Sequence, residues 1–154
     1  MDNIDEAIIR VLERKAKLSS RSLSNMLSIP ISTVHRRIQR LERSGIIMGY
    51  KALIDYDKTD RPVSALILIN FSEVGDETTH VPKRDVLVHL RGFSVIEEIT
   101  EVQAASFDVI IKGRFESIRA LSEFVEELRS IKGIEEASSA IITDELLTPP
   151  PILS

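Results

Sequence analysis

The chain has 154 residues, a length that suits one or two small domains, and its formal net charge is −4 at pH 7. It contains no cysteine, which excludes disulfide bonds and zinc sites built from thiolates. No apolar run approaches the roughly 20 residues that a membrane-spanning helix needs, and no secretory signal is visible. We therefore expect a cytoplasmic protein that does not span a membrane.

The charge is distributed unevenly along the chain. Residues 1–62 hold 12 lysines and arginines against 8 acidic residues, a net charge of +4, whereas residues 63–154 hold 8 against 16, a net charge of −8. Such asymmetry is typical of a protein with one end that binds a polyanion. The boundary falls in residues 55–62, a charged segment that ends in proline and is predicted to be a linker.

Two helices are predicted before residue 30, the first over residues 5–15 and the second over residues 20–27. Acidic residues in the first turn and basic residues in the last turn of the first helix suit its dipole. Only four residues separate the second helix from the next one, which is typical of a helix-turn-helix unit whose second helix enters the DNA major groove. Apolar residues recur at helical spacing and are predicted to face inward: Ile4, Ile8, Ile9, Leu12, Leu23, Met26 and Leu27.

The third helix carries both an apolar stripe and a cluster of arginines. Gly45 marks its end, because glycine favours the left-handed geometry that follows a helix. Its start is open: Ser32 could cap it, or Pro30 could occupy its first position. Val34, Ile38 and Leu41 form the stripe, and a different side is predicted to present Thr33, Arg36, Arg37 and Arg40.

Taken alone, that helix fits either a solvated surface or a DNA reader, and the helix-turn-helix spacing favours DNA. The β-prone run from Ile46 to Ile54 is predicted to be a strand flanking the helices. We therefore expect residues 1–54 to form a winged helix-turn-helix domain.

The second half of the chain alternates strands and helices in the order βαββαβ, the ferredoxin-like arrangement. Strands are predicted over residues 63–72, 94–102, 107–113 and 134–143, and helices over residues 81–91 and 116–131. The whole chain is thus expected to be an α+β protein. Inward-facing helical residues are predicted to be Val86, Leu87, Leu90, Ile118, Leu121, Val125 and Leu128.

Two of the predicted strands lack the apolar–polar alternation of a sheet with one solvated face. Residues 65–69 read Ala-Leu-Ile-Leu-Ile, and residues 109–111 read Val-Ile-Ile. In a ferredoxin-like fold both helices cover the same face, so the other face would expose these aliphatic side chains. We expect that face to meet a second subunit, unless a central strand simply exposes a few aliphatics.

These features together resemble the Lrp/AsnC (feast/famine) family of prokaryotic transcription regulators. The resemblance covers residues 2–143 and is strongest in the first 54. The matching residues, in order, are Ile4-Asp5, Ile8-Ile9, Leu12, Leu18-Ser19, Leu23, Ser32-Thr33-Val34, Arg36-Arg37-Ile38, Arg40-Leu41-Glu42, Gly45-Ile46-Ile47 and Gly49-Tyr50.

The resemblance implies a domain organisation and a set of partners. Residues 63–145 would be the ligand-sensing, oligomerising domain, and residues 146–154 a proline-rich tail. The chain would bind double-stranded DNA as a homodimer that assembles further to a tetramer or octamer, with an amino acid or related metabolite as effector. Residues expected at the DNA are Ser32, Thr33, Arg36, Arg37 and Arg40 on the third helix, with Thr33 and Arg36 nearest the bases, and Arg21 and Lys51 at phosphates.

Two departures from the family pattern concern sites. Family members usually have serine where this chain has Pro30. The family's Gly-x-Tyr-Asp motif near the effector pocket corresponds here to Ala105-Ser106-Phe107-Asp108, which keeps only the aspartate. An effector site is expected at Gln103, Ala104, Ala105, Ser106 and Asp108, and the alternative is a plain hairpin turn in which Asp108 bonds locally.

Other functions fit these residues less well. His35, His80 and His89 are scattered and no pair has the i, i+4 spacing of metal ligands, so neither a metal nor another cofactor is expected. Sirohaem decarboxylases resemble the same two-domain architecture, but they would need haem-contacting residues that match no motif here, and we expect no enzyme. A DNA-packaging protein with little sequence preference is the remaining alternative.

Overall fold

A computed structural model describes residues 1–72 and 81–146, which divide into two compact units, Met1–Ile54 and Asp55–Glu145. None of the helices in these ranges is both long and apolar enough to cross a membrane. Apart from Leu146, the predicted proline-rich tail lies outside the described residues, as does His80.

The first unit contains three helices, α1 (Asn3–Arg14), α2 (Ser20–Leu27) and α3 (Ile31–Arg43). Helix α1 begins two residues earlier than predicted because Asp2 caps it and forms a capping box with Asp5. The core of this unit contains the buried side chains of Ile8, Leu23, Val34 and Leu41. Met26, which was predicted to face inward, is instead 48% exposed, because the eight-residue helix α2 presents only a narrow buried face.

The predicted strand over residues 46–54 is wrong, since the chain leaves α3 in irregular structure. An extended segment becomes a strand only when a neighbouring strand satisfies its backbone groups. The described residues of this unit offer none. The segment is nevertheless apolar and exposed, with Met48 95%, Leu53 59% and Ile54 50% accessible.

The second unit has the predicted βαββαβ order: β1 (Val63–Phe71), α4 (Lys83–Leu90), β2 (Ile96–Glu101), β3 (Val109–Phe115), α5 (Ile118–Ser130) and β4 (Ile134–Ile142). The strands form one antiparallel sheet in the order β2-β3-β1-β4. Its core joins aliphatic side chains of β1 and β3, such as Ile67 and Ile111, to both helices. Ile118, predicted to be inward, is 59% exposed, whereas Phe124, which was not predicted to be inward, is buried in the core.

The segment predicted as a linker is packed onto the second unit. Residues Tyr56–Lys58 form a short 3-10 helix, and the Tyr56 ring lies 4.2 Å from the guanidinium carbon of Arg114 on β3. Arg114 also pairs with Glu145 at 2.6 Å and with Glu97 at 3.3 Å. Burial alone would raise the pKa of Glu145, but Lys112 and Arg114 more than offset this and lower it.

Candidate nucleic-acid interface

The turn between α2 and α3 is closed by side-chain and backbone hydrogen bonds. Ser19 caps α2 by accepting the Ser22 N–H at 3.1 Å. At the other end, the Ser24 hydroxyl donates to the Ile29 carbonyl at 2.6 Å. Ser28 adopts a left-handed conformation with φ of 54°, which reverses the chain without a glycine. The turn therefore holds α3 at a fixed angle to α2, as a helix-turn-helix unit requires.

Helix α3 begins at Ile31, so neither predicted start is correct. Pro30 stands one position before the first helical residue and its carbonyl accepts the Thr33 and Val34 N–H groups at 2.9 and 3.0 Å. Ser32 lies inside the first turn and caps nothing, because α3 has no side-chain cap. The fixed φ of proline supports this start without a capping hydroxyl.

One face of α3 is polar and accessible along its whole length. Val34 and Leu41 are buried, and at 100° per residue the opposite side of the helix carries Ser32, Arg36, Gln39 and Arg43, all of them exposed. Neither Arg36 nor Arg43 forms an ion pair or hydrogen bond within the described residues. This face offers two guanidiniums, an amide and a hydroxyl to a ligand.

Arg37 faces α1 rather than this surface, and Arg40 lies at the rim between the two, which corrects their predicted grouping with Arg36. Arg37 pairs with Asp2 and with Asp5, the latter at 3.2 Å, and Arg40 also pairs with Asp5. The Arg37 side chain is only 17% exposed. The Asp5 N–H and Arg37 lower the pKa of Asp2, and the same ion pair raises the pKa of Arg37.

The remaining residues predicted to contact DNA are placed differently from one another. Thr33 is half-buried at the edge of the accessible face, whereas Arg21 on α2 and Lys51 after α3 are exposed. Tyr50, next to Lys51, donates a hydrogen bond to Glu42 at 2.8 Å. This hydrogen bond ties the segment after α3 to the end of that helix. Burial and the same bond raise the pKa of Tyr50.

The predicted effector loop connects β2 to β3. Gln103, Ala104, Ala105 and Ser106 are all exposed. Asp108 instead serves the hairpin, because its carboxylate accepts the Phe71 N–H at 2.9 Å and its own N–H donates to the Ile69 carbonyl at 2.8 Å. The aspartate that this chain shares with the family motif therefore fixes the loop to β1.

Two family models match the chain, a winged helix-turn-helix DNA-binding domain over residues 1–48 and the Lrp/AsnC ligand-binding domain over residues 78–152. The chain belongs to the Lrp/AsnC family. It is accordingly a transcriptional regulator with a DNA-binding helix-turn-helix and a ligand-binding domain.

Similar proteins include Lrp/AsnC regulators from archaea and bacteria. The HTH-type transcriptional regulator FL11 of Pyrococcus furiosus is 28% identical over 92% of this chain and 89% of its own length. A Neisseria meningitidis transcriptional regulator, solved in complex with L-Met, is 24% identical with a TM-score of 0.82 and covers 96% of this chain and 92% of that one. LrpC of Bacillus subtilis is 24% identical with a TM-score of 0.80 and covers 96% and 98%, respectively. The solved structures share this fold.

The accessible face of this Lrp/AsnC chain includes two residues that the sequence reasoning missed, Gln39 and Arg43. Both are polar and fall opposite the stripe of Val34 and Leu41, so a helical projection centred on those two buried residues finds them. Of the three arginines that were predicted to share one side of the helix, Arg36, Arg37 and Arg40, only Arg36 points directly away from the core.

Proposed function

We propose that α3 reads base edges in the DNA major groove through Ser32, Arg36, Gln39 and Arg43, with Thr33 at its margin. The observation that carries this proposal is the accessible face of α3, where two arginines have no acidic partner among the described residues. Arginine bonds guanine and glutamine bonds adenine through paired donors and acceptors, each such pair contributing roughly 1–3 kcal/mol of discrimination. Arg21 and Lys51 would contact phosphates, which position the protein without specifying sequence.

The test is a substitution of Arg36 measured on DNA that the wild-type protein enriches from a random library. Arg36→Ala should weaken binding to the enriched site and relax preference at one base position. Arg36→Lys should relax the same preference while it keeps most of the salt dependence, because lysine retains the charge but loses the planar fork.

Arg10→Ala is the matched control for Arg36→Ala. Arg10 lies on α1, its side chain is 79% exposed and it is 3.8 Å from Glu6, so the variant removes one exposed arginine away from the proposed reading face. Base preference should not change in this variant. Unchanged preference in Arg36→Ala as well would refute base reading by this residue, and a wild-type protein that enriches no sequence would instead favour DNA packaging.

We further propose that the chain acts as a homodimer, assembled through residues 63–145 and extended to a tetramer or octamer, with residues 55–62 as the connection to the DNA-binding residues 1–54. The sheet face away from α4 and α5 carries Leu66, Leu68 and Ile110, and Leu68 and Ile110 are register partners. Leu66 is 37% exposed. Tyr56 and Glu145 contact this face at Lys112 and Arg114, and an aliphatic cluster that stays partly exposed beside them supports a protein partner.

An amino-acid effector is proposed from two findings. The ligand-binding family model spans the β2–β3 loop, and the Neisseria regulator with the same fold was solved with L-Met. Gln103, Ala104, Ala105 and Ser106 are accessible to a ligand, whereas Asp108 would act by holding the loop. Titration calorimetry with the twenty amino acids tests this, and no heat from any of them would argue for regulation without an amino acid.

We propose regulation, and no enzymatic activity, as the role of this chain in the cytoplasm, where the DNA of its prokaryotic relatives lies. His35 and His89 are both exposed, and His89 contacts the Phe93 ring edge-on at 5.5 Å between centroids. A sirohaem-decarboxylase activity would require a haem, so a Soret band that develops when haem is added to the purified protein would contradict this assignment.

A further inference from the structure

A cluster of four charged side chains joins the start of α1 to the middle of α3. At its centre is Asp5, whose side chain is 1% exposed. One carboxylate oxygen accepts from Arg37 at 3.2 Å, and the other accepts the Asp2 N–H at 3.3 Å and pairs with Arg40. Three donors, one at the start of α1 and two on α3, therefore fix this carboxylate.

The two arginines of the cluster differ in how much of the guanidinium group remains available to a ligand. Arg37 bridges both acids and is 17% exposed, so its charge is used within the protein. Arg40 is 56% exposed. Within the described residues, the nitrogen that meets Asp5 is the only one of its guanidinium nitrogens with a hydrogen bond or ion pair. The cluster thus contains one satisfied arginine and one that retains an accessible donor edge.

The guanidinium group can use this free edge while it stays bound to Asp5. It carries five N–H donors in a planar fork, which suits carboxylates and phosphates alike. A carboxylate behind the fork holds its orientation, and less side-chain entropy is then lost when an anion binds in front. Arg40 also lies one helical turn after Arg36, displaced towards α1, and so stands at the rim of the proposed reading face rather than at its centre.

We propose that Arg40 is a contact to one DNA backbone phosphate and that buried Asp5 is the positioning residue that aims it. This inference rests on the proposed DNA reading by α3 and adds a phosphate site to it. Arg37 takes no part in contacting DNA; its guanidinium and the backbone N–H of Asp2, which does not depend on the Asp2 carboxylate, hold Asp5 in place. Phosphate is the ligand because a side chain at the rim of a helix that lies in the major groove reaches the DNA backbone. Contacts to that backbone position the protein but do not distinguish base sequences.

The experiment is ethylation interference on the enriched DNA site, which neutralises one phosphate at a time. With wild-type protein, ethylation of the contacted phosphate should weaken binding. Arg40→Ala should reduce affinity about tenfold, lower the slope of log affinity against log salt by about one, and abolish the effect of ethylation at that phosphate alone. Asp5→Asn should weaken interference at the same phosphate and leave the others unchanged.

Asp2→Asn is the matched control, because it makes the same carboxylate-to-amide change in the same cluster but does not touch Arg40. Asparagine also keeps the helix cap. Its interference pattern should equal that of wild type. Thermal unfolding of each variant separates loss of fold from loss of contact, and Arg40→Ala, whose side chain is largely exposed, supplies the test if Asp5→Asn does not fold.

Two results would overturn the inference. One is an unchanged salt slope and interference pattern in Arg40→Ala, and the other is an identical change in Asp2→Asn and Asp5→Asn. Either result, alongside a loss of base preference in Arg36→Ala, would leave the proposed function standing and remove only the phosphate site. A wild-type protein that selects no DNA sequence would instead refute the proposed function itself.

Discussion

Three glycines of this chain differ in backbone conformation and in the space that a side chain would have. Gly133, before β4, has φ of 98°, and a Cβ there would lie 2.9 Å from a methyl group of buried Val86 and 3.1 Å from the Cβ of Val81. Gly45, after α3, has φ of 73° but nothing within 4 Å of a Cβ. At Gly49, φ lies outside the left-handed region and the space is also open.

We expect the cost of a glycine-to-alanine change to fall in the order Gly133, Gly45, Gly49. Gly133→Ala should lower the free energy of unfolding by about 2–3 kcal/mol, since it adds overpacking to strain. Gly45→Ala should cost about 1 kcal/mol for strain alone, and Gly49→Ala less than about 0.5 kcal/mol. Urea unfolding of the three variants measures this, and equal losses at Gly133 and Gly49 would contradict the packing around Gly133.

At the level of the helix, the start of α3 differs from the starts of α2 and α5. Ser19 accepts the Ser22 N–H at the start of α2, and Ser117 accepts the Ala120 N–H at 3.1 Å at the start of α5. Ser32 makes no such bond because Pro30 precedes the helix. These serines therefore stand near helix starts, but only the first two act as caps.

Substitution of each serine by alanine should distinguish the caps from Ser32. Ser19→Ala and Ser117→Ala should each cost about 1 kcal/mol, the usual contribution of a capping hydroxyl. Ser32→Ala should leave stability within about 0.5 kcal/mol while it removes a proposed DNA contact. Chemical unfolding paired with DNA titration checks both effects, and a loss at Ser32 as large as at Ser117 would mean that Ser32 caps α3 in solution.

The elements that sequence periodicity predicted best are those whose pattern is local. The inward positions Val34, Leu41, Leu121 and Leu128 follow from helical spacing alone, and all are buried. The ion pair between Arg40 and Asp5 of α1 could not be predicted in this way. Helical spacing shows on which side of α3 a residue lies, but it does not show which residue of another helix lies opposite.

The strand predicted over residues 46–54 failed for a related reason. β-propensity describes a side chain that fits a pleated surface, but the hydrogen bonds of a strand come from another segment. The same limit affects the effector loop: its sequence predicted a β2–β3 connection, but the hydrogen bond that the Phe71 N–H donates to the Asp108 carboxylate depends on where β1 lies.

For the molecule as a whole, assembly decides how much DNA it can recognise. One accessible helix face contacts only a few base pairs, and helix-turn-helix proteins gain affinity by placing two such helices on half-sites about one helical turn apart. In this chain the proposed dimer surface lies on the sheet and the proposed reading face lies on α3. Loss of the dimer should therefore weaken DNA binding without any change in the residues that contact DNA.

Leu66→Asp tests this separation, because Leu66 is at the centre of the exposed sheet face, where its register partners are Lys112 and Ala140. A carboxylate there is accessible to water in the monomer but would be buried in a dimer. Light scattering at micromolar concentration should give a dimer or larger assembly for wild type and a monomer for the variant. Affinity for a two-half-site DNA should fall by about 10²-fold or more, whereas affinity for a single half-site should not change.

Val88→Asp is the matched control for that variant, because Val88 is 60% exposed on α4, which covers the opposite face of the sheet. It introduces the same charge at an exposed aliphatic residue and should keep the wild-type mass. A wild-type mass for Leu66→Asp would remove the sheet face from the interface. A monomeric wild-type protein that still binds two half-sites tightly would place the coupling between them elsewhere, and the exposed apolar segment of residues 46–54 would then be the surface to substitute next.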